Sequence, residues 1–185
     1  MLRKTIFAGF GGQGILLMGY ALAYAGMKED KHVTYLPSYG AEVRGGTANC
    51  TVSIADEEIA SPIASSPDYL VIMNAPSMNR FQNQIRKGGL CMINTSLVNG
   101  RSSRNDIQLC GVPAFEIAEG LGDARTANMV MLGAFVRVSA LVSAETIVGV
   151  LPEIFSGKRS EILALNREAV IKGFEAVSEE CKDAR

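Results

Sequence analysis

The chain has 185 residues, of which 48% are hydrophobic and 20% charged, an ordinary globular composition with enough residues to bury a core. Its 18 Lys and Arg against 19 Asp and Glu leave a formal net charge of −1. Because no basic block stands out, nucleic acid is not an expected partner. We predict a single domain over residues 1–185.

The cysteines are widely separated, without a CxxC pair, and His32 is the only histidine. Because metal sites draw on closely spaced thiolates or imidazoles, a zinc or iron–sulfur site made by this chain is not expected. Cysteines inside apolar runs favour unpaired, buried thiols in a reducing cytosol, so we predict a cytoplasmic protein. The four cysteines are Cys50, Cys91, Cys110 and Cys181.

The N-terminus resembles a secretory signal, because Arg3 and Lys4 precede an apolar stretch. The glycines of residues 11–14 interrupt that stretch, and cleavage would remove the first predicted strand, so we expect no signal peptide. The most apolar segment, residues 127–142, is too short to span a bilayer and contains Arg137. No membrane association is therefore expected.

The β-type run that begins at Thr5 leads directly into glycines, and Ile15 to Met27 is typical of a helix. Gly9 lets the chain turn out of the strand, Gly11 leaves room for another molecule, and Gly14 allows close helix–sheet packing. The first-turn amides of the helix carry partial positive charge, so this turn is a candidate cradle for phosphate, pyrophosphate or carboxylate. Alternatively, the glycines serve helix–sheet packing or a protein–protein contact.

A second strand is predicted at His32 to Leu36, and we expect Pro37 to end it because proline cannot continue a ladder. A dinucleotide-binding Rossmann unit has an Asp or Glu about 20 residues past its glycines, where it binds a ribose hydroxyl. Here that place reads Leu-Pro-Ser-Tyr over residues 36–39. The missing acid disfavours NAD and FAD.

A glycine-rich loop follows at residues 38–46, beside the predicted glycine turn. Arg44 offers a fork of donors suited to phosphate or carboxylate, Glu42 is placed to orient it, and the following glycines offer bare amides. The alternative is a solvated Glu–Arg pair on an ordinary turn, worth under about 1 kcal/mol. The candidate binding residues of this loop are Tyr39, Glu42, Arg44, Gly45 and Gly46.

The rest of the chain alternates between apolar runs typical of strands and amphipathic stretches typical of helices. Strands are predicted at 47–54, 69–73, 90–94 and 107–110, and helices at 77–86, 114–121, 124–141, 144–155 and 160–177. Ser77, Asp123 and Ser143 are predicted helix caps, and Pro152 is expected to bend or divide its helix.

This order predicts an α/β, Rossmann-like fold with a mainly parallel sheet, an antiparallel excursion near residues 47–54, and helices on both faces. Ligands of such sheets bind beyond the carboxyl ends of the strands. We therefore expect the glycine turn and the 38–46 loop to face one another on one rim. Nucleophilic catalysis is not supported, because there is no GxSxG elbow and His32 falls in a strand.

The sequence GFGGQG at residues 9–14, followed by SYGAEVRGG at 38–46, closely resembles the γ subunit of 2-oxoacid:acceptor (ferredoxin) oxidoreductases. The similarity runs nearly end to end and includes residues 59–62, 69–74 and the segment Arg125 to Met129, which contains Asn128. The residues that the resemblance places at a coenzyme A, phosphate or partner contact are Gly9, Gly11, Gly12, Gln13, Gly14, Tyr39, Glu42, Arg44, Gly45, Gly46 and Asn128.

The resemblance implies a subunit of an enzyme that converts a 2-oxo acid and coenzyme A into acyl-CoA, carbon dioxide and reduced acceptor. It implies α, β and δ-type partner subunits that hold thiamine diphosphate, Mg²⁺ and [4Fe-4S] clusters, with ferredoxin or a similar protein as acceptor. This chain would then hold no cofactor alone and supply no catalytic residue. A separate short chain is found in several branches of the family, among them the 2-oxoglutarate, pyruvate, branched-chain and aryl-pyruvate enzymes, and the sequence of residues 35–40 is most similar to the 2-oxoglutarate branch. The alternatives are a free-standing nucleotide-binding enzyme and a purely structural assembly subunit.

Overall fold

A computed structural model describes residues 1–39, 46–99, 102–178 and 181 of the chain. Within these ranges the strands form one six-stranded sheet in the order β2-β3-β1-β4-β5-β6. The strands are β1 (Leu2–Phe10), β2 (His32–Tyr39), β3 (Thr47–Ala55), β4 (Tyr69–Ile72), β5 (Leu90–Asn94) and β6 (Gln108–Val112).

Seven α-helices are described in these ranges, with a short 3₁₀ turn at Ala124–Thr126. They are α1 (Ile15–Lys28), α2 (Ala75–Phe81), α3 (Ala114–Gly120), α4 (Ala127–Ser139), α5 (Ala144–Gly149), α6 (Leu151–Ile154) and α7 (Ser160–Glu175). No helix within the described ranges combines the length and the apolar character needed to cross a bilayer.

The sheet confirms the predicted mainly parallel arrangement with one antiparallel excursion. β1, β4, β5 and β6 run parallel, whereas β3 pairs antiparallel with both β1 and β2. Because β1 and β2 are both antiparallel to β3, they run in the same direction. Their carboxyl ends, Phe10 and Tyr39, therefore lie at one edge of the sheet, opposite the neighbouring Thr47 and Ala48 of β3.

The two faces of the sheet are covered unequally. In the larger core, α1, α3, α4 and α7 pack against one face of the sheet. This core includes the buried Phe7 and Phe135, whose ring centroids lie 5.5 Å apart in an edge-to-face arrangement. The smaller core, on the other face, includes Ile72 and Met78 and is covered by the seven-residue α2. The prediction of helices on both faces is confirmed.

Helices α4 and α7 approach each other closely because each presents a glycine to the backbone of the other. A Cβ added at Gly133 would lie 2.0 Å from the carbonyl oxygen of Val170. A Cβ at Gly173 would be equally obstructed, by the carbonyl oxygen of Val130. No side chain separates the two helices at these points, so only glycine fits.

The prediction that Pro37 ends the second strand is wrong. β2 continues through Pro37 to Tyr39, and Pro37 lies opposite Cys50 in the ladder. β2 is the edge strand of the sheet, where the missing N–H of proline is tolerated because only one side of the strand has a partner.

The predicted helix at 77–86 begins and ends earlier than expected. Asn74, not Ser77, is the cap, since its side chain accepts a hydrogen bond from the Ser77 N–H at 2.9 Å. The helix ends at Phe81 because later amides find other partners: the Arg86 N–H donates to the carbonyl of Pro67 at 3.0 Å. By contrast, Asp123 and Ser143 act as caps as predicted, and the 144–155 helix is divided at Val150.

The expectation that all four cysteines are unpaired is also wrong. Cys110, in the edge strand β6, forms a disulfide with Cys181, with a Cα–Cα distance of 5.3 Å. The two lie 71 residues apart in the chain, so spacing gave no signal of the pairing. Cys50 and Cys91 are free and buried, as predicted.

We expect Cys50 and Cys91 to resist alkylation in the folded protein. Burial raises the pKa of each thiol to about 12, so at pH 8 only about one molecule in 10⁴ carries the thiolate. Iodoacetamide followed by mass spectrometry should label neither cysteine in native protein, two per chain after denaturation and four after denaturation with reduction. Rapid native labelling of Cys50 or Cys91 would contradict the buried environment.

Candidate functional site

The glycine turn after β1 and the end of the loop after β2 meet directly. The Gly11 N–H donates a hydrogen bond of 3.0 Å to the carbonyl oxygen of Gly46. Tyr39 lies at the same edge as the last residue of β2. The remaining predicted residues of this loop, Glu42, Arg44 and Gly45, lie outside the residues that the structure describes. At the backbone level, the expected meeting of the two bends on one rim is found.

The glycines of the turn differ in what surrounds them. A Cβ at Gly9 would lie 2.5 Å from Ile15 Cδ1 and 2.7 Å from Gln13 Oε1, so a larger residue there would force these two side-chain ends to move. Gly14 has a φ of +70°, which L side chains rarely adopt, and a Cβ there would lie 2.2 Å from Asn128 Nδ2. By contrast, a Cβ at Gly11 would meet only the Gly46 carbonyl oxygen, at 3.8 Å, among the described residues.

Among the described residues, the space beside the Gly11 Cα is open, as the role predicted for it requires. Helix α1 begins just beyond, at Ile15, and no described side chain caps it. Its first amides thus carry the partial positive charge of a helix start without a side-chain partner. This combination places the amides of a helix start at the carboxyl end of β1.

The side chain of Gln13 fills the crevice between β1 and β4. Its Oε1 accepts hydrogen bonds from the Phe10 N–H at 2.7 Å and from Asn74 Nδ2 at 3.2 Å. Its Nε2 donates to the carbonyl of Met73 at 3.5 Å, which is a long contact. α1 and α2 lie on opposite faces of the sheet, so this crevice is the switch point at which ligands of doubly wound sheets bind. Gln13 braces the two strand ends there.

Asn128, in the first turn of α4, connects the glycine turn to the helical half of the chain. Its Nδ2 donates to the carbonyl of Gly14 at 3.3 Å. Just before α4, Arg125 pairs with Asp123 through Nε and Nη2 at 2.5–3.0 Å. The guanidinium lowers the pKa of Asp123 to about 2, chiefly through these hydrogen bonds. This ion pair is formed throughout the neutral pH range.

Two clefts open on either side of Arg125 and Asn128. We call them the Asn94 socket, of about 210 Å³, and the Asn166 socket, of about 250 Å³, after a buried residue in each. Gly12 lines both. Asn94 was not among the predicted site residues, although it ends a predicted strand and ligands of such sheets bind at the carboxyl ends of strands.

The described residues offer little catalytic chemistry of their own. His32 lies exposed on the edge strand β2, and Cys50 and Cys91 are buried thiols with raised pKa values. In the part of the chain that the structure describes, no three His, Cys, Asp or Glu side chains come together as a metal-binding group. Among the described residues, the site is therefore a surface of backbone amides, carboxamides and apolar side chains beside the Arg125–Asp123 ion pair.

Fold and site define a class of protein, a Rossmann-like α/β domain with a glycine turn at the carboxyl rim of its sheet. The chain belongs to the pyruvate ferredoxin/flavodoxin oxidoreductase family, which it matches over residues 4–176. The family resemblance predicted from the glycine motifs is confirmed.

Two kinds of relative carry this match. The chain is 38% identical over 171 residues to ketoisovalerate oxidoreductase subunit VorA of Methanothermobacter marburgensis, covering 92% of this chain but 35% of VorA. This chain thus spans about a third of the length of VorA. It is 33% identical to 2-oxoglutarate synthase subunit KorC of Methanocaldococcus jannaschii, covering 96% of both chains.

Solved structures agree with the fold. The γ subunit of a keto/oxoacid ferredoxin oxidoreductase from Geobacter sulfurreducens superposes with a TM-score of 0.80 at 27% identity, covering 94% of this chain and 97% of that one. A 2-oxoglutarate:ferredoxin oxidoreductase from Magnetococcus marinus, with 2-oxoglutarate, coenzyme A and succinyl-CoA bound, gives 0.87 at 24% identity. It covers all of this chain and 31% of that one, and it supports the fold alone.

Proposed function

We propose that this chain is the γ subunit of a multi-subunit 2-oxoacid:acceptor (ferredoxin) oxidoreductase. The complex would decarboxylate a 2-oxo acid oxidatively to acyl-CoA and carbon dioxide, with this subunit at the coenzyme A side of the active-site entrance. The observation that carries the proposal is the hydrogen bond between Gly11 and Gly46 in a chain of this family. It joins the two glycine motifs into one surface.

The chemistry of that surface indicates which tasks belong to this chain and which to its partner subunits. Backbone amides at a helix start that no described side chain caps suit phosphate groups, and the space at Gly11, open among the described residues, lets a ligand approach the main chain. Within the described ranges, the buried thiols, the Cys110–Cys181 disulfide and the exposed His32 form no metal- or cluster-binding group. We therefore assign thiamine diphosphate, Mg²⁺ and iron–sulfur clusters to α, β and δ-type partner subunits, and expect this chain to be inactive alone.

Three 2-oxo acids have support as the substrate. The relatives matched along nearly their whole length include 2-oxoglutarate synthase subunits at 33% identity, which agrees with the preference drawn from residues 35–40, and a pyruvate synthase subunit at 30% identity. The higher identity to VorA instead supports a branched-chain 2-oxo acid. We retain 2-oxoglutarate, with specificity residing in a partner subunit, and propose that residues 1–185 form one domain. The proposal of a cytoplasmic complex now rests on the free, buried thiols of Cys50 and Cys91, since Cys110 and Cys181 are paired.

Replacing Gly11 by alanine tests the contact role. The new Cβ fits against Gly46 at ordinary contact distance, so the subunit should fold and assemble normally. The methyl group would occupy the space that the proposal gives to coenzyme A, and we expect the KM for coenzyme A to rise about tenfold, equivalent to about 1.4 kcal/mol. The assay is viologen reduction by the co-expressed complex with a panel of 2-oxo acids.

Gly149→Ala is the matched control, because nothing described lies within 4 Å of that position and it is far along the chain from the rim. Weaker assembly of the Gly11→Ala complex with an unchanged KM for coenzyme A would indicate that Gly11 contacts a partner subunit and not coenzyme A. Unchanged assembly and kinetics would remove Gly11 from the site. Failure of the wild-type chain to co-purify with thiamine- and cluster-binding subunits, together with NAD(P) binding, would favour a free-standing enzyme.

A further inference from the structure

The Cys110–Cys181 disulfide connects the edge of the sheet to the far end of the helical half of the chain. Cys110 lies in the middle of β6, and Cys181 lies beyond the end of α7. The two are 71 positions apart, with α3 to α7 between them. Both cysteines belong to the larger core, together with Val177. The bond therefore fastens the segment after α7 to the outermost strand.

Strand β6 has few other attachments to the larger core. It is an edge strand, so it has a neighbouring strand, β5, on one side only. Gln108, Leu109 and Gly111 are exposed, whereas Cys110 and Val112 are fully buried. β6 is thus held to that core by the two buried side chains, and one of them carries the covalent bond.

The two sulfur atoms differ in how a reductant reaches them. Cys110 is 0% exposed, in a strand paired with β5. Cys181 is 5% exposed, and its N–H donates to the carbonyl of Ser178 at 3.1 Å, while its Sγ accepts from Ser178 Oγ at 3.4 Å. Ser178 itself is exposed. Opening this one turn would uncover Cys181 Sγ without separating β6 from β5.

The two free thiols of the chain do not exchange with this bond. Cys91 belongs to the smaller core, on the other face of the sheet from Cys110. Cys50 lies on β3, which is separated from β6 by three strands. Burial also raises the pKa of each free thiol to about 12, so neither supplies the thiolate that attacks a disulfide. A reductant that opens the bond therefore comes from outside the chain.

We propose that the Cys110–Cys181 bond is a redox-responsive clasp, which holds residues 176–178 and Cys181 against β6 when it is closed. A dithiol, such as a reduced thioredoxin-type protein, opens it. One thiolate of the dithiol attacks Cys181 Sγ, and the Cys110 sulfur leaves and takes up a proton. The second thiol of the dithiol then displaces Cys181. Two electrons pass to the chain, both cysteines end as thiols, and the dithiol ends as a disulfide.

The site of the bond agrees with such a role. Disulfides of proteins in reducing compartments are mostly transient or redox-sensing, and the exposed turn at Ser178 gives a reductant a local route to Cys181. The inference goes beyond the proposed function, because it concerns this chain whether or not a complex forms.

Thiol labelling of the native chain tests whether the bond opens locally. The chain is incubated with dithiothreitol without denaturant, samples are quenched with excess iodoacetamide, and mass spectrometry locates the labels. Cys181 should be labelled at least about tenfold faster than Cys50 and Cys91, since only the turn at Ser178 has to open. Labelling of all four cysteines at one rate, or a bond that stays closed until denaturant is added, would overturn the inference.

Thermal unfolding measures what the closed clasp contributes. Dithiothreitol should lower the melting temperature of the wild type by about 10 °C, because the bond closes a long loop. Cys181→Ser should melt at the lowered temperature with or without reductant. Cys91→Ala is the matched control, since Cys91 is free, and it should keep the full response. A response that persists in Cys181→Ser, or is missing in the wild type, would contradict the clasp.

Hydrogen exchange shows where the effect of reduction lies. The amides of residues 108–112 and 175–178 should exchange faster after reduction, while those of β1 and β4 stay unchanged. Faster exchange throughout the sheet would mean a general loss of stability and would overturn a local clasp. These measurements use this chain alone, so failure of the clasp is distinguished from failure of the proposed function, which is tested by co-purification of the complex.

Discussion

Gly133→Ala is expected to destabilise the subunit by about 3 kcal/mol, the upper range for adding a methyl group to a packed interior. The added Cβ would lie 2.0 Å from the carbonyl oxygen of Val170 and 2.8 Å from its carbonyl carbon. Backbone atoms cannot rotate away as a side chain can, so α4 and α7 must separate. Gly173→Ala, facing the Val130 backbone, should have an effect of the same size.

Urea denaturation of the isolated subunit, followed by circular dichroism, measures this cost. Gly120→Ala is the control, because Gly120 is also helical but nothing described lies within 4 Å of its added Cβ. There the substitution should be neutral or stabilising by up to about 1 kcal/mol, since alanine favours helix more than glycine. Equal midpoints for Gly133→Ala and Gly120→Ala would refute the close helix contact.

Gly14→Ala is the second large effect expected, because two costs coincide at one residue. A left-handed backbone costs a non-glycine residue roughly 1–2 kcal/mol, and the added Cβ would lie 2.2 Å from Asn128 Nδ2. Gly12→Ala separates the two costs: its φ is +97°, but nothing described lies within 4 Å. We expect a loss of stability of about 3 kcal/mol for Gly14→Ala and about half of that for Gly12→Ala.

A double-mutant cycle identifies the clashing side chain. Truncating Asn128 to alanine removes the amide that obstructs position 14 and leaves its Cβ 3.2 Å away, which is tight but accommodated by a small shift. The Gly14→Ala/Asn128→Ala protein should therefore be more stable than the sum of the single changes predicts, by about 1 kcal/mol or more. Strict additivity would mean that Asn128 does not pack on Gly14.

Local patterns were sufficient to predict most of the architecture. The apolar runs at residues 69–73 and 90–94 became the buried strands β4 and β5 because a parallel strand covered on both faces needs an unbroken apolar sequence. The excursion at 47–54 was recognisable from its alternation. The capping roles of Asp123 and Ser143 depend on atoms within three residues, so they too were visible in sequence.

The errors arose where distant parts of the chain decide the local structure. Pro37 is tolerated only because β2 lies at the sheet edge, a fact set by the pairing of three strands. The Cys110–Cys181 disulfide and the end of α2 likewise depend on segments brought together by folding. In the candidate site, the glycine turn was predictable from the sequence. The Nδ2 of Asn94, which has no acceptor among the described residues, could not be predicted to lack one, because this follows from the hydrogen bonds that the Ala114 and Ser96 N–H groups donate to Asn94 Oδ1 in the folded chain.

The contact between α4 and α7 has a mechanical consequence for the rim. Because the backbones of the two helices are in direct contact at these glycines, we expect α4 and α7 to move together. Asn128 lies in the first turn of α4 and holds the carbonyl of Gly14. If binding of another subunit displaced the glycine turn, α7 would resist the displacement through α4. A chain truncated before α7 would lose this support for the position of the turn.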